Sequence, residues 1–184
     1  MSSNGGTLTP LSRLYLYWHE RNIEGTANED SGAYIRDGMK VLQTLGVPPE
    51  TDCPYDVTKF TNKPTAQAEV DARAFKIAEY HRVTDFTSMQ AALAEGNPVV
   101  IGFTVYESFE SAAVARTGKV PLPKRGEKVL GGHAVLVVGY KQIGRSLYAI
   151  VRNSWGTGWG EKGYFYMPKT FFDKGYVSDM WTGR

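Results

Sequence analysis

Cysteine is nearly absent from this chain of 184 residues, which contains only Cys53. One thiol excludes a disulfide within the chain and a zinc site built from several thiolates. Histidine is also scarce, and any chemistry that needs an imidazole must use His19, His81 or His133. Neither the histidines nor the carboxylates show metal-ligand spacing, so we predict neither a metal nor another cofactor.

The chain also lacks long apolar runs and an excess of charge of either sign. No run approaches the roughly 18 apolar residues of a membrane span, and the best candidate extends only from Ala134 to Gly139. The 21 basic and 19 acidic residues leave a net charge of +2, and the basic residues are scattered along the sequence. We therefore predict neither a nucleic-acid partner nor membrane contact.

The opening stretch, MSSNGGTLTP, lacks the charged and apolar regions of a secretory signal peptide. We predict a soluble chain without an export signal, with a flexible leader over residues 1–8. The cellular compartment stays open, because a processed piece of an exported protein would show the same features.

The composition that is present is ordinary for a globular protein, with 42% hydrophobic and 22% charged residues. Helical periodicity dominates the first third of the chain, and segments rich in Val, Ile, Phe and Tyr dominate the remainder. This order predicts an α+β protein with two lobes. We expect a helical lobe over residues 9–70 and a β-rich lobe over residues 71–184.

Helix and strand signals follow this division. The pair TP at residues 9–10 predicts the start of a first helix, with an apolar stripe over residues 11–18. The pair DS at residues 30–31 predicts the cap of a second helix that ends at Gly46. The segments predicted in the second lobe are strands at 75–83, 99–106, 133–141, 146–155 and 164–167 and a helix at 87–95.

His133 stands out among the histidines, because it follows two glycines and begins the apolar segment AVLVVGY. Its position alone favours a structural role, but Asn153 follows 20 residues later. Neighbouring antiparallel strands would bring the two side chains together, and an Asn oxygen bonded to one ring nitrogen fixes the tautomer of the other. Trp155 and Trp159 are placed to shield that bond from water.

These two blocks, GGHAVLVVGY and RNSWGTGWGEKGYFYM, resemble the histidine and asparagine blocks of the papain-like cysteine peptidases. The stretches LSRLYLYWHERNIEG, EDSGAYIRDGMKVLQTLGV and GFTVYESFES resemble bacterial members of that family, so that the resemblance covers most of residues 9–182. It implies a papain-like fold of two lobes and hydrolysis of peptide or protein substrates through a Cys–His pair.

The resemblance also implies roles for individual residues. His133 matches the general base and acid, and Asn153 matches the residue that orients it. Trp155 matches the aromatic shield beside the leaving group. Ser31 and Gly32 match the stretch whose backbone pairs with substrate, and Gly132 and Ala134 match the residues that line the cleft beside the histidine. The implied substrate-binding residues are Ser31, Gly32, Gly132, Ala134 and Trp155.

One departure from the family concerns the nucleophile. In papain and the cathepsins the catalytic cysteine lies roughly 130–150 residues before the histidine, in a block such as C-G-S-C-W. Cys53 lies only 80 residues before His133, and Pro54 follows it, so no helix begins there to activate the thiol. We predict that Cys53 is a structural thiol and that the chain by itself hydrolyses no peptide.

Two classes of function remain open on the sequence. The chain is either part of a cysteine peptidase, with the nucleophile-bearing segment truncated or supplied by another chain, or a non-catalytic relative that binds peptides or proteins. Loss of a central helix would leave apolar stripes uncovered, so we also predict self-association through residues 9–45, capture of a complementing N-terminal segment, or a shift of the first helices that closes the gap. Self-association is the first choice. The stripes concerned contain Leu14, Trp18, Val41 and Leu45.

Overall fold

The computed structural model of the chain describes residues 8–184. The chain divides into two compact units, and the division falls between Tyr80 and His81. The predicted leader lies outside the described residues except for Leu8, which is exposed. Each unit has its own core and is described in turn.

The segment over residues 71–80, assigned to the second lobe from the sequence, belongs to the first unit. The amide of Ile77 donates a hydrogen bond to the Leu42 carbonyl at 3.2 Å, which ties this segment to the end of a helix. The strand predicted over 75–83 is therefore wrong in length, since only Tyr80–Arg82 is extended in a sheet.

The first unit is helical, and its two longer helices pack against each other. A third, shorter helix and two turns of 3₁₀ helix complete it. The elements are α1 (Arg13–Glu24), α2 (Ile35–Thr44) and α3 (Ala66–Asp71), with the 3₁₀ turns at Val57–Lys59 and Ala72–Ala74.

Helix α1 begins later than the predicted start at residues 9–10. Ser12 is its N-cap, and the Ser12 hydroxyl accepts a hydrogen bond from the Tyr15 amide at 3.0 Å. The preceding backbone is engaged elsewhere, because the carbonyl of Pro10 accepts a hydrogen bond from the amide of Glu50 at 2.8 Å. The sequence thus predicted the helix, but the long-range pairing of the backbone at Pro10 delays its first residue to Arg13.

Helix α2 also starts later than the capping pair at residues 30–31. Its N-cap is Tyr34, which makes no capping hydrogen bond through its side chain. The Asp30 carboxylate instead accepts a hydrogen bond from the Tyr17 hydroxyl at 2.5 Å. Gly46 ends the helix as predicted, with a left-handed φ of 86° that favours glycine.

The core of the first unit contradicts the predicted exposure of its apolar stripes. Leu14, Trp18 and Val41 are all buried, and only Leu45 is exposed, at 36%. Burial of these three side chains leaves less apolar surface for self-association through residues 9–45, which stays a prediction. The buried cluster itself consists of Tyr15, Val41, Val47, Ala68 and Ala72.

The second unit is built on one six-stranded sheet, which confirms the predicted α+β class. The central pairings of the sheet are antiparallel. The strand order is β1-β6-β2-β3-β4-β5. The strands are β1 (Tyr80–Arg82), β2 (Val99–Tyr106), β3 (Val129–Ile143), β4 (Ser146–Arg152), β5 (Tyr164–Pro168) and β6 (Val177–Gly183).

Strand predictions hold best where apolar residues alternate or run continuously. Strand β2 has the predicted bounds, and its residues alternate between full and partial burial. Strand β4 ends at Arg152 and not at the predicted residue 155, because the Asn153 amide bonds outside the ladder, to the Gly163 carbonyl. Strand β6 was not predicted.

Three short helices and a 3₁₀ turn pack on this sheet. The predicted helix at 87–95 is confirmed as α4, which a capping box between Asp85 and Ser88 begins. None of the helices among residues 8–184 is long and apolar enough to cross a membrane. The elements are α4 (Phe86–Ala94), α5 (Ala112–Thr117), α6 (Lys169–Asp173) and a 3₁₀ turn at Glu107–Glu110.

Candidate active site

His133 lies on β3 where that strand is paired with β2. Its Cα partner on β2 is Phe103. Side chains alternate along a strand, so His133 continues the row of Val135 and Val137, which are buried in the core of the second unit. The imidazole is therefore half-buried at the rim of an apolar core, while its neighbours Gly132 and Ala134 are exposed.

Asn153 directly follows β4, the strand beside β3. The pairing register sets Leu136 opposite Arg152, so the residue after Arg152 comes level with the start of the paired part of β3. The Asn153 amide then donates to the Gly163 carbonyl at 2.9 Å, which turns the chain away from the ladder. This arrangement places the Asn153 side chain beside the imidazole.

The predicted contact between His133 and Asn153 is confirmed. The distance from His133 Nε2 to Asn153 Oδ1 is 2.9 Å, and Oδ1 also accepts a hydrogen bond from the Ser154 amide at 2.8 Å. A backbone N–H is always a donor, so the amide oxygen of Asn153 must face it. The proton of a neutral His133 ring is then on Nε2, which leaves Nδ1 with a free lone pair.

An aromatic group covers the imidazole, as predicted for Trp155. The rings of His133 and Trp155 are stacked, with centroids 5.2 Å apart and planes inclined by 20°. Trp159 packs edge-on against Trp155 at 5.1 Å. Trp155 is nevertheless 42% exposed, so it shields one face of the pair and borders solvent with the other.

Phe109 also belongs to this aromatic group, although the sequence analysis did not single it out. It contacts Trp155 at 5.6 Å, Trp159 at 5.6 Å and Phe165 at 5.2 Å between ring centroids. Phe109 lies in the 3₁₀ turn after β2, within the segment GFTVYESFES. Only the fold brings that turn beside the tryptophans, and no local sequence signal marks it.

Ser31 and Gly32, the other predicted substrate-binding residues, lie in the first unit between α1 and α2 and are exposed. Both residues make hydrogen bonds to neighbours in that unit. The Gly32 amide donates to the Tyr17 hydroxyl at 3.1 Å, and the Ser31 hydroxyl donates to Thr26 Oγ1 at 3.1 Å. Gly32 has a left-handed φ of 73°.

Arg21 holds this stretch, and the sequence analysis missed it. The side chain is fully buried, and its guanidinium donates to the carbonyls of Ala27 at 2.7 Å, Glu29 at 2.9 Å and Phe60 at 2.5 Å. It also lies 4.0 Å from the centroid of the Tyr17 ring. With the bond from Nε to the Tyr17 carbonyl at 3.2 Å, the side chain donates to four carbonyls, and an Arg on a polar helix gives no sequence signal of this.

Cys53 is partly buried and packs against the core cluster of the first unit. Its carbonyl accepts a hydrogen bond from the Ser12 hydroxyl at 2.6 Å, which fixes the backbone there. The thiol thus has the surroundings of a packing residue. No group of three or more His, Cys, Asp or Glu side chains among residues 8–184 is arranged to hold a metal ion.

Comparison with known proteins identifies the class. A family model described as papain family cysteine protease matches residues 21–179. The chain therefore belongs to the papain family of cysteine proteases, as its sequence blocks implied.

Individual relatives agree. The chain is 42% identical to an uncharacterised peptidase C1-like protein of Acanthamoeba polyphaga mimivirus, over 97% of this chain and 60% of that protein. It is 28% identical to cysteine proteinase 3 of Entamoeba histolytica, over 86% of this chain and 51% of that protein. The chain thus spans between half and two thirds of the length of these two relatives.

Solved structures show the same fold. Xylellain, a cysteine protease from Xylella fastidiosa, is 40% identical and superposes with a TM-score of 0.87, over 97% of this chain and 71% of that structure. The bromelain protease from Ananas comosus is 22% identical with a TM-score of 0.67, over 98% of this chain and 80% of that structure. The second likeness concerns the fold alone.

Proposed function

We propose that this chain carries the base and its orienting residue for a papain-type peptidase that acts on peptide or protein substrates. The observation that supports this most strongly is the 2.9 Å contact between His133 Nε2 and Asn153 Oδ1 beneath Trp155. The contact leaves Nδ1 as the one proton acceptor of a neutral ring, which is what a general base requires.

In the proposed reaction, His133 Nδ1 takes the proton of a cysteine thiol, and the thiolate sulfur attacks the scissile carbonyl carbon. The protonated ring then gives that proton to the leaving amine as the C–N bond breaks and the acyl-enzyme forms. Water, deprotonated by the same ring, hydrolyses the thioester and releases the acid. Asn153 keeps the ring in one orientation through both steps.

The nucleophile in this proposal comes from a polypeptide segment outside these 184 residues, and not from Cys53. The sulfur of Cys53 packs against a small apolar core, its carbonyl is held by Ser12, and a proline follows it. No helix begins at Cys53 itself, and the thiol has the surroundings of a packing residue. The chain by itself should therefore be inactive.

For substrate binding, we propose that the backbone of Ser31 and Gly32 and the exposed positions Gly132 and Ala134 contact the peptide. The Gly32 amide already donates to the Tyr17 hydroxyl at 3.1 Å. A peptide carbonyl that binds this amide must therefore displace the hydroxyl, which keeps its own bond to Asp30. When no substrate is bound, the Tyr17 hydroxyl would then accept the hydrogen bond of the Gly32 amide.

The test is a complementation assay with a fluorogenic peptide substrate. We expect no hydrolysis by the chain alone, and hydrolysis after addition of a segment that carries a C-G-S-C-W block. In the complemented protein, His133→Ala should lower the rate by at least about 100-fold. Asn153→Ala should lower it by about tenfold, since it removes one orienting hydrogen bond.

Matched controls separate the alternatives. His81→Ala changes a histidine outside the site and should leave the rate unchanged, and a segment with serines in place of both cysteines should restore nothing. Cleavage by the chain alone that Cys53→Ala abolishes would overturn the proposal. A complemented protein that binds peptides but never cleaves them would instead favour a non-catalytic relative.

A further inference from the structure

A basic recess lies in the second unit, outside the His133 group. It has a volume of about 410 Å³. Its charged lining consists of Arg116 at the end of α5, Lys119, Lys141 on β3, and Lys162, with one carboxylate, that of Glu161. These cations are far apart in the sequence, and only the fold gathers them.

The recess carries more positive charge than its acidic side chains neutralise. Its four cations and one carboxylate sum to more than the net +2 of the whole chain. The Glu161 carboxylate accepts a hydrogen bond from the Tyr166 hydroxyl. None of the ion pairs found among residues 8–184 includes any of the four cations. Like charges around one concavity repel, and a bound anion relieves that repulsion.

The walls of the recess are held in place by backbone contacts. The Tyr166 amide donates to the Gly118 carbonyl at 2.7 Å, and the Gly160 amide donates to the Ala115 carbonyl at 2.6 Å. A Cβ at Gly160 would lie 2.4 Å from the carbonyl oxygen of Tyr164, so the two backbones approach as closely as glycine allows. These contacts fix the backbone of the lining, on which the side chains of Arg116, Lys119 and Lys162 are exposed.

Two of the cations are themselves constrained. Lys141 Nζ lies 3.4 Å from the centroid of the Tyr166 ring. Lys162 has a φ of 55°, and among residues 8–184 it is the one non-glycine residue with a positive φ. Lys162 also precedes Gly163, whose carbonyl holds the amide of Asn153.

From this geometry we propose that the recess binds a small anion with two or more phosphate or sulfate groups. Arg116 offers a planar fork for tetrahedral oxyanions, and the lysines offer point charges. Lys141 covers the ring of Tyr166, which is the aromatic residue of the lining. No aromatic face is then left for a nucleobase or sugar ring to stack on, so the ligand needs neither of them. The size of the recess suits a compact oligoanion, and the inference is independent of the proposed peptidase activity.

The test uses the 184-residue chain and inorganic tripolyphosphate at physiological salt. In ¹⁵N-resolved NMR titration, we expect saturable shifts of the amides of Gly118, Gly160, Glu161 and Lys162. By calorimetry, Arg116→Gln combined with Lys119→Gln should weaken binding by at least about tenfold, the effect of one lost charge-assisted contact. A parallel titration with a sulfated disaccharide distinguishes phosphate from sulfate ligands, because the compound that binds more tightly carries the oxyanion that the recess prefers.

The matched control combines Arg125→Gln with Lys174→Gln, two exposed cations outside the recess, and should change the affinity by less than about twofold. The NMR map of the unmodified chain tests the site even if a variant folds poorly. The proposal is overturned if the shifts do not saturate or spread over lysines elsewhere. Equal weakening in the control, or equal binding of an oligoglutamate peptide, overturns it as well.

Discussion

The two units of this protein are stabilised by different means. The second unit buries one continuous cluster of aliphatic and aromatic side chains on its sheet, from Val83 to Met180. The first unit buries a cluster of five apolar residues, with Leu14, Trp18 and Met39 buried outside that cluster, together with His19 and the charged Arg21. A small core leaves less hydrophobic stabilisation, so the first unit depends more on buried polar groups, above all on the hydrogen bonds of Arg21.

The polar groups of the first unit extend beyond Arg21. Glu69 accepts a hydrogen bond from the Tyr15 hydroxyl at 2.7 Å and lies 3.0 Å from His19 Nε2. Burial lowers the pKa of His19 and opposes the effect of Glu69. Burial first, and then the charges of Glu24 and Asp37, raise the pKa of Glu20 to about 8. The contrast between the units therefore predicts different responses to mutation and to pH.

The largest effect is expected from Arg21→Leu. The substitution leaves the carbonyls of Ala27, Glu29 and Phe60 without their guanidinium donor, at a cost of about 4 kcal/mol in the free energy of unfolding. Urea denaturation measures this cost, and amide hydrogen exchange should show lost protection in α1 but retained protection in β3. Arg36→Leu, at an exposed position of α2, is the control. A cost below about 1 kcal/mol for Arg21→Leu would show that apolar burial dominates both units.

The matching change in the second unit is Met167→Ala, which should cost about 3 kcal/mol. Met167 is fully buried in the large cluster, so the truncation removes apolar contacts and leaves a cavity. The same urea and exchange measurements apply, with the protection loss now expected in β4 and β5. Val138→Ala on an exposed part of β3 is the control. An equal loss of protection in α1 would contradict the prediction that the two units are stabilised by different means.

A smaller effect concerns pH. The folded-state pKa of Glu20 is about 8, well above that of the unfolded carboxyl, so the folded state binds the extra proton. The free energy of unfolding should then fall by about 1.4 kcal/mol per pH unit, or about 2 kcal/mol between about pH 6.5 and 8. Below about 6.5 the lowered pKa of His19 acts with the opposite sign, because the unfolded state gains that proton.

The pH effect is measured by chemical denaturation at closely spaced pH values, with exchange protection of α1 as the local readout. Glu20→Gln should remove the slope above about pH 6.5, since its amide does not ionise. The variant should also be more stable than the parent at about pH 8. A slope that survives in Glu20→Gln would assign the titration to another group.

The smallest effect is expected from Cys53→Ala. Cys53 lies at the edge of the small cluster and is only partly buried, so the truncation should cost less than about 1 kcal/mol. Thermal denaturation measures this cost. A large loss of stability, or a loss of activity in the complemented protein, would contradict the assignment of Cys53 as a packing residue.

Several features of this fold were predictable because their causes are local. Strand β2 alternates in burial along its whole length, and α4 begins at a capping box of adjacent residues. The strand carrying His133 was predicted from an apolar run of six residues that starts at Ala134. Helix starts were less predictable, because the backbone before Ser12 pairs with residues almost 40 positions later. Strand β6 has a mixed composition that gives no strong signal by itself.

The order of the His and Asn blocks already determined the family and the pair His133–Asn153, since short motifs and their spacing carry that information. Only the tertiary structure decided which ring nitrogen of His133 meets the Asn153 oxygen and which carbonyls accept hydrogen bonds from Arg21. It also gathered Arg116, Lys119, Lys141 and Lys162 into one recess, although the basic residues are scattered in the sequence. The physical reason is that hydrogen bonds and charge clusters depend on distances in space, which sequence separation does not record.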